Sequence, residues 1–301
     1  MKTLQSGPIS IQRVVETERL LFEPSQLYPT ADAEFIQRNR NWLDERFIDG
    51  ATDRLVLGMQ SFVIRTSRHN ILVDTCNGNN KRRPNNAWQH NLNTPYLQAL
   101  AAAGFKATDI DIVLCTHLHS DHVGWNTTLA NGQWVPTFPR ATYLFCAEDF
   151  DILNRRHQTD RSPAGSTGAF VDSVLPIIDA RQAKLIEMDH AIEQSGDDGV
   201  WLEPAPGHSP GHVIVHVKSG AMHVILAGDV LHHPIQLMEP DLLVGFDEDP
   251  QEALATRRRL VETYADTNTI ILAAHFPTPT AGRIIAWGDR KHRFRDRKSV
   301  V

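Results

Sequence analysis

Cysteine is scarce in this sequence, long apolar runs are absent, and basic residues are outnumbered by acidic ones, 30 to 36. The three cysteines, Cys76, Cys115 and Cys146, are odd in number and show no CxxC spacing, which argues against a disulfide framework and favours a reducing compartment. No apolar run approaches the roughly 18 residues of a membrane span. The first residues also lack the apolar core of a secretion signal. We therefore expect a cytoplasmic protein without a membrane segment.

The charge balance excludes further classes of function. A net charge of −6 provides no overall basic field for nucleic acid or an anionic membrane surface. With 41% hydrophobic and 22% charged residues in a chain of 301, the composition is typical of a folded globular protein. What the chain does have is histidine, at 15 residues, and this abundance needs an explanation.

Short β-branched runs bounded by Gly, Pro, Asn or Asp predict buried strands, and helical patterns lie between them. The predicted strands are Leu55–Arg65, Asn70–Asp74, Ile110–Cys115, Ala141–Phe145, Val213–Val217, His223–Ala227 and Thr269–Ala273. The predicted helices are Thr94–Ala103, Ala147–Arg156, Gly168–Arg181 and Pro250–Tyr264, the last with Asp249 as its N-cap. Two strand pairs joined by short turns predict hairpins. Hairpins with interspersed helices indicate a layered α/β architecture with mixed sheets.

Four other segments are interpreted from their composition. The irregular stretches 77–86 and 159–168 are interpreted either as loops over a site or as surface loops. Phe35–Phe47 is predicted to be an amphipathic helix that covers the site or forms a dimer contact. The basic segment 289–298 is interpreted as a solvated terminus. We expect a single domain over residues 1–301, with an N-terminal extension of about 1–54 and a basic C-terminal tail of about 289–301.

The stretch CTHLHSDHVGW, which starts at Cys115, contains three histidines and one aspartate within six positions. His117 and His119 are two residues apart, so in an extended segment both imidazoles point the same way. Asp121 and His122 follow where the chain turns. Imidazole and carboxylate at this density suit zinc, with iron, manganese or cobalt as alternatives.

Three more metal-capable residues occur at turn positions later in the chain: His208 in APGHSPGH, Asp229 in VILAGDV and His275 in IILAAHFP. Asp229 and His275 each end a strongly apolar strand, where an ionisable group is costly unless something binds it. Together with the first motif, these five histidines and two aspartates could fill two metal sites.

This set of motifs, in this order, resembles the metallo-β-lactamase fold superfamily from about Leu55 to Trp287. The resemblance implies an αββα sandwich of two mixed sheets flanked by helices. It also implies that His117, His119 and His208 hold one metal, that Asp121, His122 and His275 hold a second, and that Asp229 bridges them. The function implied is a dinuclear metal-dependent hydrolase whose bridging hydroxide attacks a carbonyl carbon or a phosphorus.

The same GHSPG stretch also fits the G-x-S-x-G nucleophile elbow of serine hydrolases. Two points argue against a serine mechanism. Pro210, which follows the candidate nucleophile Ser209, has no backbone N–H for an oxyanion hole. The residues that follow predict a strand, whereas the elbow opens a helix.

The substrate class rests on the resemblance to one branch of the superfamily, the N-acyl-homoserine lactonases and methyl parathion hydrolase. That branch implies a lactone or carboxylic ester as substrate, with phosphotriesterase side activity. Where the lactonases often have a tyrosine that binds the substrate carbonyl, this chain has His232, which could donate in the same way or be an ordinary histidine. Asp121 could pass a proton to the leaving group. Homodimerisation is left open.

Two alternatives to the lactonase reading remain. One is a glyoxalase II-like thioesterase, which the basic tail would suit, and the other is a non-catalytic metal-binding or ligand-binding protein.

Two further interpretations concern the surroundings of the site. Asp74 either orients a ligand histidine or caps a turn, and Trp88, Trp125, Phe170 and Phe276 either line an acyl pocket or belong to the core.

Overall fold

A computed structural model of the chain describes residues 1–32, 34–159, 168–288 and 291–296. The strands are Leu4–Ser6 (β1), Ile9–Phe22 (β2), Ile48–Asp49 (β3), Arg54–Arg65 (β4), Asn70–Val73 (β5), Ile112–Leu114 (β6), Thr127–Ala130 (β7), Gln133–Pro136 (β8), Thr142–Cys146 (β9), Ala183–Ile186 (β10), Ala191–Ser195 (β11), Asp198–Pro204 (β12), Val213–Ser219 (β13), Met222–Leu226 (β14), Ile270–Leu272 (β15), Ala281–Ala286 (β16) and His292–Asp296 (β17). The α-helices are Pro24–Leu27 (α1), Phe35–Asn39 (α2), Tyr96–Ala102 (α3), Ser120–Val123 (α4), Ala147–Thr159 (α5), Leu175–Asp179 (α6), Ile235–Met238 (α7) and Pro250–Tyr264 (α8).

The chain forms two compact units. The 59–188 unit comprises Lys2–Thr17 and Met59–Met188, and the 189–301 unit comprises Met1, Glu18–Gly58 and Asp189–Val301. The prediction that all 301 residues form a single domain stays a prediction.

The 59–188 unit is built on a mixed sheet. Its strand order is β1-β2-β4-β5-β6-β9-β10, and β2 and β4 each continue into the other unit. The β4–β5 hairpin is antiparallel, whereas β5, β6, β9 and β10 pair in parallel. Helix α3 contributes Tyr96 and Leu100 to a core that also includes Leu72 and Val113 of the sheet. Because β5 and β6 run in parallel, their carboxyl ends meet at the same edge.

The 189–301 unit contains a second mixed sheet, with strands in the order β11-β12-β13-β14-β15-β16-β17. Only β14 and β15 are parallel in this path; the other pairs are antiparallel. Helix α8 contributes Leu260 and Val261 to a core with Ile214, Ile225 and Ile271. The predicted fold class, α/β with two mixed sheets flanked by helices, is confirmed.

The long predicted helix at Phe35–Phe47 is wrong beyond its first turn. Helix α2 ends at Asn39, and the following residues form turns. The side chain of Asn39 accounts for the ending, because its Nδ2 donates to the carbonyl of Phe35 and its Oδ1 accepts from Trp42 Nε1. Such local side-chain hydrogen bonds compete with helix continuation.

Parts of both predicted terminal segments form strands. Residues of the predicted N-terminal extension form β1 and the 14-residue strand β2. Within the predicted basic tail, His292–Asp296 pairs with β16 as strand β17 rather than forming a solvated terminus. Residues 289, 290 and 297–301 of that tail lie outside the described residues, as do residues 160–167 of the predicted loop 159–168.

Among the described residues, no helix has both the length and the apolar character needed to cross a membrane. The cytoplasmic location stays a prediction from the sequence.

Candidate metal centre

In the 59–188 unit, the predicted ligand motif begins just beyond the carboxyl end of β6, next to the residue that ends β5. Asp74 follows β5 with a positive φ of 58°. Its carboxylate accepts from Thr116 N at 2.7 Å and lies 3.0 Å from His122 Nδ1. The parallel pairing of the two strands is what brings Asp74 to this motif. Its contact with His122 is the orienting contact that the sequence left open.

Three imidazoles and one carboxylate of the motif form a cluster within this unit. The ring centroids of His117 and His122 are 4.0 Å apart, and those of His117 and His119 are 4.6 Å apart. Asp121 Oδ2 lies 3.9 Å from His122 Nε2. His117 and His122 are buried, so these polar rings lie where an unsatisfied polar group would be costly.

In the 189–301 unit, Asp229 stands at the centre of a second cluster. It follows β14 in the turn Gly228–Val230, and His275 follows the parallel strand β15. Three Nε2 atoms face its carboxylate: His275 at 3.0 Å from Oδ1, His232 at 3.1 Å from Oδ2 and His208 at 3.3 Å from Oδ2. All four residues are buried. His208, Asp229 and His232 place ligand atoms close enough together to hold one ion.

The Nδ1 atoms of three predicted ligands contact oxygen acceptors. His208 Nδ1 lies 2.8 Å from Asp247 Oδ1, and His275 Nδ1 lies 3.3 Å from the carbonyl oxygen of Gly58. His122 Nδ1 contacts Asp74 as described above. An imidazole that donates from Nδ1 carries its lone pair on Nε2, the form in which histidine binds a metal. The donor set and its orientation therefore fit divalent metal ions.

Two residues that support this cluster were not identified from the sequence. His212 Nε2 accepts the backbone N–H of Asp229 at 2.9 Å and fixes the turn that carries this carboxylate. Asp247 holds His208, as described above. The second histidine of GHSPGH was a visible signal for His212. Asp247 lies 39 residues from His208, and no local pattern links the two positions.

The aromatic residues proposed for an acyl pocket belong mostly to the cores. Trp125, Phe170 and Phe276 are buried, whereas Trp88 is half-buried. Trp125 stacks on Tyr96 and donates its Nε1 to Glu16 at 2.7 Å. An aromatic residue that is both exposed and adjacent to the predicted ligands was missed, namely Phe246. Its ring lies 5.9 Å from that of His208 and 5.2 Å from that of His232.

The segment after GHSPG continues as strand β13 and not as a helix. This local structure agrees with the rejection of a nucleophile elbow.

Two mixed sheets with buried histidine and aspartate clusters at the ends of their strands define a class of metal-dependent hydrolases. The sequence profile of the metallo-beta-lactamase superfamily matches residues 56–275. The chain belongs to this superfamily, and it is a metal-dependent hydrolase of that family.

Named relatives are similar at low identity. The N-acyl homoserine lactonase AiiA of Bacillus thuringiensis subsp. kurstaki is 25% identical over 258 residues, which cover 80% of this chain and 91% of the lactonase. The fold is also similar to that of the hydrolase AbOPH, with a TM-score of 0.78 and 21% identity over 97% of this chain and 95% of AbOPH. AidC, a dizinc quorum-quenching lactonase solved with the product N-hexanoyl-L-homoserine, gives a TM-score of 0.77 and 19% identity over 98% and 96% of the two chains.

Proposed function

We propose that this protein is a dinuclear metal-dependent hydrolase that opens a lactone ring or cleaves a carboxylic ester. The observation that carries the proposal is the convergence of three histidine Nε2 atoms on the buried Asp229 carboxylate. A buried carboxylate shared by several imidazoles suits divalent metal ions better than it suits a purely structural role.

The proposed ligands are those that the sequence predicted. His117, His119 and His208 bind one ion, Asp121, His122 and His275 bind the other, and Asp229 is shared by both. Zinc is the first candidate because the donors are imidazole and carboxylate, with iron, manganese and cobalt as alternatives. The description of AidC as a dizinc enzyme supports this choice.

When bound, two such ions bring the pKa of a water towards neutrality and stabilise negative charge on the carbonyl oxygen and the leaving group. The chain's own residues would then orient the substrate and move protons. Asp121, beside His122, would pass a proton to the leaving alkoxide. His232 would donate a hydrogen bond to the substrate carbonyl, or would hold Asp229 in place.

A lactone is proposed as the substrate because relatives along most of the chain are named N-acyl homoserine lactonases. N-acyl homoserine lactones offer a strained ester carbonyl and an apolar acyl chain. The first test is hydrolysis of N-acyl-homoserine lactones of several chain lengths by zinc-loaded protein, followed through the release of protons.

The matched variants are Asp229→Asn, at the proposed shared ligand, and Asp241→Asn, on an exposed carboxylate of the same unit. We expect Asp229→Asn to bind fewer than two ions by elemental analysis and to lose at least 100-fold in kcat/KM, whereas Asp241→Asn keeps both properties. Full activity with two ions in Asp229→Asn would contradict the ligand assignment. Two bound ions without lactone turnover would redirect the substrate search to thioesters and phosphotriesters.

A further inference from the structure

Phe246 is an exposed aromatic side chain directly beside the predicted ligand His208 and the predicted catalytic residue His232. It is 44% exposed, whereas His208 and His232 are buried. Its ring meets both imidazoles nearly edge to face, with interplanar angles of 86° to His208 and 79° to His232. One part of the phenyl ring therefore packs on the cluster, and the rest is open to solvent.

The loop that carries Phe246 is fixed on both sides by hydrogen bonds. The N–H of Gly245 donates to the Leu27 carbonyl at 2.9 Å, and the N–H of Asp249 donates to the Gly207 carbonyl at 2.9 Å. Glu248 N–H also donates to the carbonyl of His208 itself, at 3.2 Å. These bonds hold the phenyl ring at the ligand cluster rather than leaving it on a mobile loop.

The surroundings make an exposed phenyl ring at this position unexpected. The residues that follow it, Asp247, Glu248 and Asp249, are all acidic, and a polar side chain would suit such a loop. Leaving apolar surface in water forgoes the stabilisation that burial would give. The other large apolar side chains that are exposed among the described residues are Leu21, Leu129, Val135, Val171, Leu185 and Trp287. Trp287 is the one aromatic residue in this group, and its ring packs on Arg293.

We infer that Phe246 is a specificity-determining residue that forms an apolar wall against the hydrophobic acyl or alkyl group next to the scissile carbonyl. The inference rests on the proposed function, because it places the carbonyl beside the proposed ligand His208 and the proposed carbonyl donor His232, both of which Phe246 contacts. A substrate bound there covers the open part of the ring and buries its own methylene groups on it. Phe246 would thus select by chain length without taking part in the chemistry.

The test measures binding of straight-chain alkyl carboxylates, from acetate to octanoate, to the zinc-loaded protein by calorimetry. A carboxylate is the acid product of ester hydrolysis, so it probes the subsite without turnover. Each methylene buried on Phe246 should tighten binding by up to about fourfold. We expect Phe246→Ala to reduce the gain in affinity that each added methylene gives among the shorter carboxylates. Phe246→Leu should keep most of this gain.

Trp287→Ala is the matched control, because Trp287 is an equally exposed aromatic residue, at 48%, whose ring packs on Arg293. It should keep the wild-type increase, and thermal unfolding of all variants should confirm that they are folded. An unchanged increase in Phe246→Ala, an equal loss in Trp287→Ala, or no binding of any carboxylate would overturn the inference.

The two proposals can fail separately. Lactone hydrolysis that is unaffected by Phe246→Ala at every chain length would overturn the inference and leave the proposed function standing. Carboxylate binding with a Phe246-dependent increase, but without hydrolysis of any lactone or ester, would support the inference and remove the proposed function.

Discussion

At the scale of single residues, the orientation of each ligand imidazole depends on what its Nδ1 atom contacts. Asp247, the Gly58 carbonyl and Asp74 take this position for His208, His275 and His122. Each contact fixes the ring and favours the tautomer with a lone pair on Nε2. These three predicted ligands are therefore preorganised by acceptors that lie far away in the sequence.

Replacing Asp247 tests this orienting contact. Because Asp247→Asn weakens the acceptor on His208 Nδ1, we expect the affinity for the zinc ion that His208 is proposed to bind to fall by about 10-fold to 100-fold. Competition with a chromogenic chelator measures this directly, with Gln251→Ala as a control on the exposed first turn of α8. Equal zinc affinity in the wild type and Asp247→Asn would mean that the contact does not position His208.

His233 illustrates a histidine used for structure rather than for metal binding. Its Nε2 donates to the Phe47 carbonyl at 2.8 Å, and its Nδ1 accepts from Ile235 N–H at 3.2 Å, so both ring nitrogens fit a neutral imidazole. Burial lowers the pKa of His233 from 6.5 to about 4. As the pH falls, His233 of the unfolded chain therefore binds a proton near pH 6.5, whereas His233 of the folded protein binds one only near pH 4.

The sign of the pH dependence follows from this shift. The contribution of His233 to the free energy of unfolding is complete above pH 6.5 and is lost as the pH falls towards 4, by roughly 3 kcal/mol. We expect His233→Gln to be less stable than the wild type near pH 7.5 but to lose less stability between about pH 7 and pH 5. Urea unfolding in the presence of chelator measures both, with His157→Gln as the control. Parallel pH profiles for the wild type and His233→Gln would contradict the assignment.

Residue spacing predicted the candidate ligands, but it could not predict the residues that support them. His117, His119, Asp121 and His122 fall within one short motif, so the chemistry is visible locally. Asp247 and Phe246 reach the cluster only because the loop after α7 folds back to residues 207 and 208. Such contacts depend on the tertiary fold, and a single sequence contains no periodic pattern that reveals them.

At the scale of elements, the strands that lead to the ligands were the easiest to predict. Strands β5, β6, β14 and β15 are short, mostly apolar runs, and a polar residue follows each of them within three positions. Strand β2 was missed because ISIQRVVETERLLF mixes charged residues with apolar ones along its 14 positions. Its burial alternates only over part of its length, so the period-2 signal is weak.

Helix α8 was predicted with its observed bounds because its start is encoded locally. The Asp249 side chain accepts from the N–H groups of Gln251 and Glu252 at 3.1 and 3.0 Å, and Pro250 occupies the first helical position. These contacts satisfy N–H groups that have no partner within the helix. The cap also ends the loop that carries Phe246 and Asp247.

Removing this cap should destabilise the 189–301 unit. We expect Asp249→Ala to lower the free energy of unfolding by about 1 kcal/mol, whereas Gln251→Ala at the neighbouring exposed position changes it little. Chemical denaturation of both variants at neutral pH provides the comparison. If the two variants lose the same stability, the hydrogen bonds of Asp249 do not act as a helix cap.

At the scale of the whole molecule, the seven proposed ligands are divided between the two units. Four lie in the 59–188 unit, in one motif, and three lie in the 189–301 unit, after separate strands. The superfamily profile spans both sets. In the 189–301 unit, the parallel strands β14 and β15 bring Asp229 and His275 together, whereas in the 59–188 unit all four ligands follow the single strand β6. The division into units was not visible in the composition.

Metal removal tests whether the folded protein binds metal ions. An ion that binds only the folded protein stabilises it according to its concentration, by about 4 kcal/mol at a thousandfold excess over Kd. In a chain of this size, removal with a chelator should therefore lower the Tm by about 6 °C, and added zinc should restore it. The control is a scan without zinc or chelator after extensive dialysis.

The decisive comparison uses one variant from each ligand set, His122→Asn from the 59–188 unit and Asp229→Asn from the 189–301 unit. If both sets serve one dinuclear centre, each substitution should reduce the zinc-dependent rise in Tm by at least half, because each weakens binding of the same pair of ions. A full rise in either variant would mean that its residue does not ligate zinc, and the proposed ligand set would have to be divided.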